Sequence, residues 1–153
     1  MAMIETQDVK KSYPSGEGLM EILHGVSLSI PAGQCAFIVG PSGSGKSTLL
    51  HLIGAMDQPT AGRVIIDGAD LTKMTEPQKD TFRRDKIGII FQAFNLVGNL
   101  TAVENVLVPF LPRGITPELR ERATDMLKKV GLGHRLSHRP NKMSGGEQQR
   151  VAI

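Results

Sequence analysis

The sequence predicts an α/β fold on three observations. The N-terminal part is rich in strand-like segments, a glycine-rich loop stands between an apolar run and a helix, and the C-terminal half is punctuated by helix-capping residues. Met3 to Val9 and Glu21 to Ile30 read as two strands separated by the glycine-rich Pro14 to Gly18, a hairpin-like arrangement. Cys35 to Val39 reads as a short buried strand in which Cys35 serves as a small hydrophobe, and Thr48 to Ile53 continues beyond the loop as a helix. Arg63 to Asp67, bounded by Gly62 and Gly68, and Ile87 to Phe91, with Gln92 at its end, add two further short strands.

The helices announce themselves by their first turns. Thr75 with Gln78, Thr101 with Glu104 and Ser144 with Glu147 each have capping-box spacing, in which a hydroxyl and a side-chain carbonyl or carboxylate satisfy each other's backbone N–H groups. They open a helix with Pro77 in its first turn, a helix through about Phe110, and a helix from Gly145 through Arg150 toward Ile153. Between them, Thr116 caps an amphipathic helix over Pro117 to Val130, with Leu119, Ala123, Met126, Leu127 and Val130 on one face and Gly131 as its stop.

Bulk composition excludes more than it identifies. The 153 residues have the length of one domain, and 40% hydrophobic with 22% charged residues is ordinary for a globular protein. The net charge is only +3, and the densest basic cluster, Arg83, Arg84 and Lys86, is interrupted by Asp85 and reads as a solvated helix end. With one tyrosine and no tryptophan the chain lacks a nucleic-acid stacking platform, so no nucleic-acid partner is expected. The N-terminus carries no apolar leader, no apolar run approaches the roughly eighteen residues of a membrane span, and the lone Cys35 supplies no disulfide, which together predict a cytoplasmic protein. His134 and His138 are four apart but have no third ligand of suitable type nearby, and His24 and His51 read as packing residues in a strand and a helix.

Gly40, Pro41, Ser42, Gly43, Ser44, Gly45, Lys46, Ser47 and Thr48 follow the spacing of a P-loop: glycine, any four residues, glycine, lysine, serine or threonine. Backbone amides of such a turn, together with the positive end of the following helix, suit a polyphosphate. Gly40, Gly43 and Gly45 can adopt positive φ and carry no Cβ to hold phosphates away, while Lys46 is expected to reach the β and γ phosphates and Ser47 to coordinate Mg2+. Asn141 and Lys142 resemble the guanine-reading motif, but Ser144 stands where aspartate is required, so ATP is preferred over GTP.

A second glycine-bearing helix start, Ser144, Gly145, Gly146 and Glu147, follows far downstream. With the P-loop it resembles the signature of the ATP-binding-cassette ATPases, with Met143 in place of the usual leucine and Glu147 where glutamine is typical. The stretch from Phe91 through Val106, with Phe94-Asn95-Leu96 and Leu100-Thr101-Ala102-Val103-Glu104-Asn105, looks most like the branch serving lipoprotein release, macrolide export and cell-division complexes. Relatives acting on chromosomes place a long coiled coil between the two motifs, and no sustained heptads occur here.

The resemblance implies a P-loop NTPase core with an N-terminal antiparallel β region over residues 1–91, a glutamine loop and helical subdomain over 92–143, and the start of the signature helix over 144–153. It further implies that Tyr13 stacks on adenine, that Gln92 contacts Mg2+ and couples to a membrane-spanning permease, and that two cassettes pair head to tail. Each ATP would then lie between the P-loop of one and Ser144, Gly145, Gly146 and Glu147 of the other. The protein would sit peripherally at the inner face of the membrane. The family's next elements, including the magnesium aspartate, the glutamate that activates water and a switch histidine, are expected beyond Ile153. The central sheet of these residues is therefore expected to be incomplete, and no catalytic residue falls within them.

Overall fold

The computed structural model describes residues 2–16 and 18–153, which divide into two compact units, Met1–Ile89 and Ile90–Ile153. In the first, β1 (Ala2–Ser15) and β2 (Gly18–Pro31) form the expected hairpin, longer than the sequence indicated. β3 (Ala61–Ile66) pairs antiparallel with the other edge of β1, and the two-residue β4 (Ala69–Asp70) closes a sheet of order β2-β1-β3-β4.

β1 is bulged after Thr6, where its register to both neighbours slips. The buried Thr6 hydroxyl patches the broken ladder by donating to Val26 O at 3.0 Å and accepting from Leu28 N at 3.1 Å. Gly62 fits the same irregularity, because a Cβ there would lie 2.3 Å from Asp8 O and 2.5 Å from Gln7 O.

α1 (Lys46–Ile53) packs Leu49 and Leu52 onto this sheet with Val9, Leu23, Ala55, Val64, Ile66 and Leu71. At roughly 1.5–3 kcal/mol for a fully buried aliphatic side chain, these contacts fix α1 far more firmly than its eight-residue length could. α2 (Glu76–Lys86) starts from the predicted box, with Thr75 N donating to Gln78 Oε1 at 2.8 Å.

Four expectations change in this unit. Cys35 to Val39 and Ile87 to Phe91 form no strands, because no described segment offers them a ladder. Each meets the core of this unit through one residue, Ile38 and Ile87, whereas Phe37 and Val39 are each 86% exposed. Cys35 is accordingly exposed rather than buried. His24 and His51 are also exposed; His24 faces Glu21 at 3.3 Å instead of packing. Arg83, predicted to be solvated, bends back to donate to Ala55 O and to Asp80, while Lys86 reaches Asp67 at 3.0 Å.

The second unit is helical. α3 (Ala102–Leu107), α4 (Pro117–Lys129) and α5 (Gly145–Ala152) surround Ala102, Val103, Leu107, Ala123, Leu127, Leu132, Met143 and Val151. α3 stops before Phe110 because Pro109 and Pro112 remove backbone donors, and Val108–Arg113 tightens into a 3-10 segment. On α4 the inner stripe narrows to Ala123 and Leu127 with Leu119 beside it, while Met126 and Val130 are exposed. No helix among the described residues is long and apolar enough to cross a membrane.

Candidate functional site

The glycine loop enters α1 through Gly45, which caps the helix in the left-handed conformation at φ 83°. Close approach adds to this demand: a Cβ would lie 2.8 Å from Leu23 Cδ2 and 3.2 Å from Ile22 O, so both would have to shift for the loop to seat against β2. Gly43 is different, with φ 81° but open space around it, so there only the backbone conformation makes the demand. A turn closes between Pro41 O and Ser44 N at 3.4 Å, and Leu49 N begins the helical ladder on Gly45 O at 2.9 Å.

Lys46, half-buried in the first turn, curls over the loop. Its ammonium donates to Gly40 O at 2.9 Å, Pro41 O at 2.5 Å and Ser44 Oγ at 3.3 Å. A cation is thereby held at the mouth of a helix N-terminus whose first turn has no acidic side chain, which suits an anionic ligand. Ser47 is exposed beside it and Thr48 half-buried. Tyr13, Ile22 and Ser42 through Thr48 line one cleft of about 560 Å³, within the size of small-ligand sites. Of the residues predicted from sequence, the structure thus brings Tyr13 together with the P-loop.

The remaining predicted residues belong to the helical unit. Gln92 is exposed in a turn rather than at the end of a strand, and Phe94 and Asn95 follow it with φ 59° and 52°. Ser144 caps α5 as its spacing predicts: Ser144 N donates to Glu147 Oε2 at 2.7 Å, and Ser144 Oγ accepts from Glu147 N at 3.3 Å. Gly145 and Gly146 are exposed, with no atom within 3.4 Å of a would-be Cβ at either. The Glu147 carboxylate is turned back and occupied, its other oxygen accepting from Arg135 Nε at 2.8 Å. The Ser144 backbone amide and then Arg135 hold this carboxyl down at about 2. What α5 presents outward is therefore a serine and two glycines, with the acidic charge already paired.

Sequence reading missed Lys11, Asp57, Asn105 and Arg135 as supports of these groups. Lys11 had a faint signal, standing two positions before Tyr13 and so on the same face of a strand. Asp57 had none, because it meets Tyr13 across 44 positions of sequence.

A half-buried lysine in a left-handed glycine turn, at the start of a helix seated on a sheet, defines a nucleotide-binding P-loop domain. A sequence model described as ABC transporter matches residues 23–153. The chain belongs to the ABC transporter family and, within it, to the ATP-binding cassettes. It is 49% identical to an uncharacterized ABC transporter ATP-binding protein of Thermotoga maritima, over 99% of this chain and 65% of that protein. It is 46% identical to the lipoprotein-releasing system ATP-binding protein LolD of Psychrobacter arcticus, over 99% of this chain and 68% of the relative. A solved dimeric ATP-binding cassette in a post-hydrolysis state, bound to ADP and Pi, superposes with a TM-score of 0.88 at 44% identity, covering 98% of this chain and 67% of that one. The chain thus spans about two thirds of the length of these cassettes.

Proposed function

We propose that this protein is the ATP-binding subunit, or part of it, of an ABC transporter: it holds ATP with Mg2+ at the P-loop and couples hydrolysis to transport through a membrane-spanning permease. The observation that carries this reading is the single cleft shared by Tyr13 and Ser42 through Thr48, with the Lys46 ammonium folded across its glycine loop. The loop amides and Lys46 bind the β and γ phosphates, and Tyr13 stacks against adenine. Mg2+ retains most of its waters and takes ligands from substrate phosphates, so the Ser47 hydroxyl is a fitting protein contribution. It would supply charge neutralisation on the transferred phosphoryl group.

Ser144, Gly145 and Gly146 face the γ phosphate bound by a second cassette, which makes ATP the link of a head-to-tail pair. The helix N-terminus and the two bare glycines support this role, as does the dimeric state of the solved cassette. Isothermal titration of the full-length protein with Mg2+-ATP tests the reading. Binding that Lys46→Ala abolishes is the expected outcome, and unchanged affinity in that variant would overturn it.

A second reading, binding without turnover by these 153 residues alone, is favoured by the two apolar segments that lack strand partners. Phosphate release by the isolated chain that Lys46→Ala removes would refute it.

A further inference from the structure

Tyr13 is held by groups that the nucleotide reading does not use. Its hydroxyl donates to Asp57 Oδ2 at 2.8 Å, and Asp57 Oδ1 accepts from Lys11 Nζ at 2.6 Å. The same ammonium donates to Gln58 O at 2.7 Å and stands 4.8 Å from the centre of the Tyr13 ring, at cation–π distance. Lys11 is 9% exposed, while Tyr13 and Asp57 are half-buried.

Its parts come from separate elements. Lys11 and Tyr13 share one face of β1, and Asp57 lies in the connection from α1 to β3. Thr60 N donates to Lys10 O at 2.8 Å, and Ser12 N donates to Thr60 Oγ1 at 3.0 Å, fastening that connection to the same stretch of strand. Burial alone would raise the Asp57 carboxyl, but hydrogen bonds from Lys11, Tyr13 and the Gln58 amide hold it below its ordinary value. Burial and the Asp57 acceptor push the Tyr13 hydroxyl up, with the Thr48 side chain acting the other way. The bond is thus a phenol donating to a carboxylate, a charge-assisted pairing that fixes the ring's rotation.

A freely turning tyrosine would lose rotamer freedom on meeting a ligand, whereas an anchored one has already lost it. Lys11 covers one face of the ring, and the hydroxyl is committed to Asp57, so a ligand meets the ring by its remaining face. We infer that Asp57 is a positioning residue for the nucleotide base: braced by Lys11, it fixes Tyr13 as the base-side wall of the P-loop cleft. This rests on the reading that Tyr13 stacks on adenine.

The test separates the base from the phosphates by titrating full-length protein with Mg2+-ATP and with Mg2+-tripolyphosphate, which carries no base. Tyr13→Ala is expected to weaken ATP about tenfold and tripolyphosphate hardly at all. Asp57→Ala is expected to weaken ATP about threefold, again sparing tripolyphosphate, and to have no further effect in a Tyr13→Phe background, where the anchor is already absent. Asp57→Asn, which preserves shape and an acceptor, serves where the alanine variant folds poorly and is expected to fall between Asp57→Ala and wild type. If Tyr13→Ala leaves the ATP-to-tripolyphosphate ratio unchanged, the stacking reading falls and this inference with it. A normal Tyr13 effect, with Asp57 variants weakening both ligands equally or neither, overturns the positioning role alone.

Discussion

Replacing Asn105 by alanine should loosen the segment that follows Gln92 without touching any residue assigned to nucleotide. Asn105 is 9% exposed and spends all its polar capacity on one loop. Its Nδ2 donates to Val97 O at 3.2 Å, Leu100 O at 3.1 Å and Thr101 O at 3.0 Å, and its Oδ1 accepts from Val97 N at 2.7 Å. A net hydrogen bond contributes about 0.5–1.5 kcal/mol, and a buried donor left bare costs about 1–3 kcal/mol. The three amide donations share two hydrogens and are individually weak, so the sum expected for Asn105→Ala is about 2–3 kcal/mol, concentrated on the Val97 amide. Amide hydrogen exchange reads this directly: protection of Val97 should fall by about thirtyfold or more for a loss of about 2 kcal/mol. Asn105→Asp keeps the acceptor for Val97 but aims a carboxylate at three carbonyl oxygens, and should be at least as damaging near neutral pH. Wild-type protection in either variant would refute the view that this side chain holds the loop.

Two further outcomes follow from the structure. Because the Glu147 carboxyl is held at about 2 in the folded protein against an ordinary 4.5, its contribution to stability is fully present above about pH 4.5 and is lost as pH falls through about 2. An NMR titration of the Glu147 carboxyl should therefore shift upward in Arg135→Ala, and an unmoved midpoint would show that the guanidinium has no part in it. Gly62→Ala places a methyl within 2.5 Å of two backbone oxygens on β1, at φ 86°. It should lower the thermal midpoint by several degrees or prevent folding, and an unchanged midpoint would mean that the bulge after Thr6 relaxes freely.

Where chemistry is local, the sequence was legible. The three capping boxes at Thr75, Thr101 and Ser144 occur with the partners their spacing predicts, because each needs only three residues and a helical turn. The hairpin and the P-loop turn were legible for the same reason. The segments Cys35 to Val39 and Ile87 to Phe91 were misread, since apolar composition states what a strand would bury but not whether a partner strand is present. In the first of them Ile38 alone packs against the core, while Phe37 and Val39 stand 86% exposed. The part of Asp57 in the Lys11 and Tyr13 cluster was invisible because it lies 46 and 44 positions from them in the chain, and no periodicity links it to either.

The same contrast explains how the P-loop keeps its shape next to a segment without ladder bonds. Its anchorage does not depend on Cys35 to Val39. Gly45 seats the loop against Ile22 and Leu23 of β2, and α1 drives Leu49 and Leu52 into the core beneath β1 and β3. Asp57, shortly after α1, then reaches back to Tyr13 on β1. The phosphate-binding turn and the aromatic wall are therefore fastened to one antiparallel sheet, at opposite ends of one helix and its following loop. On the proposed reading, both ends of a nucleotide would be positioned by a single compact unit, Met1–Ile89, while Ser144, Gly145 and Gly146 are carried by the other. On the proposed function, base recognition and the pairing of cassettes would rest on separate hydrophobic cores, so substitutions in the first would alter affinity for the base while the capped start of α5 keeps its form.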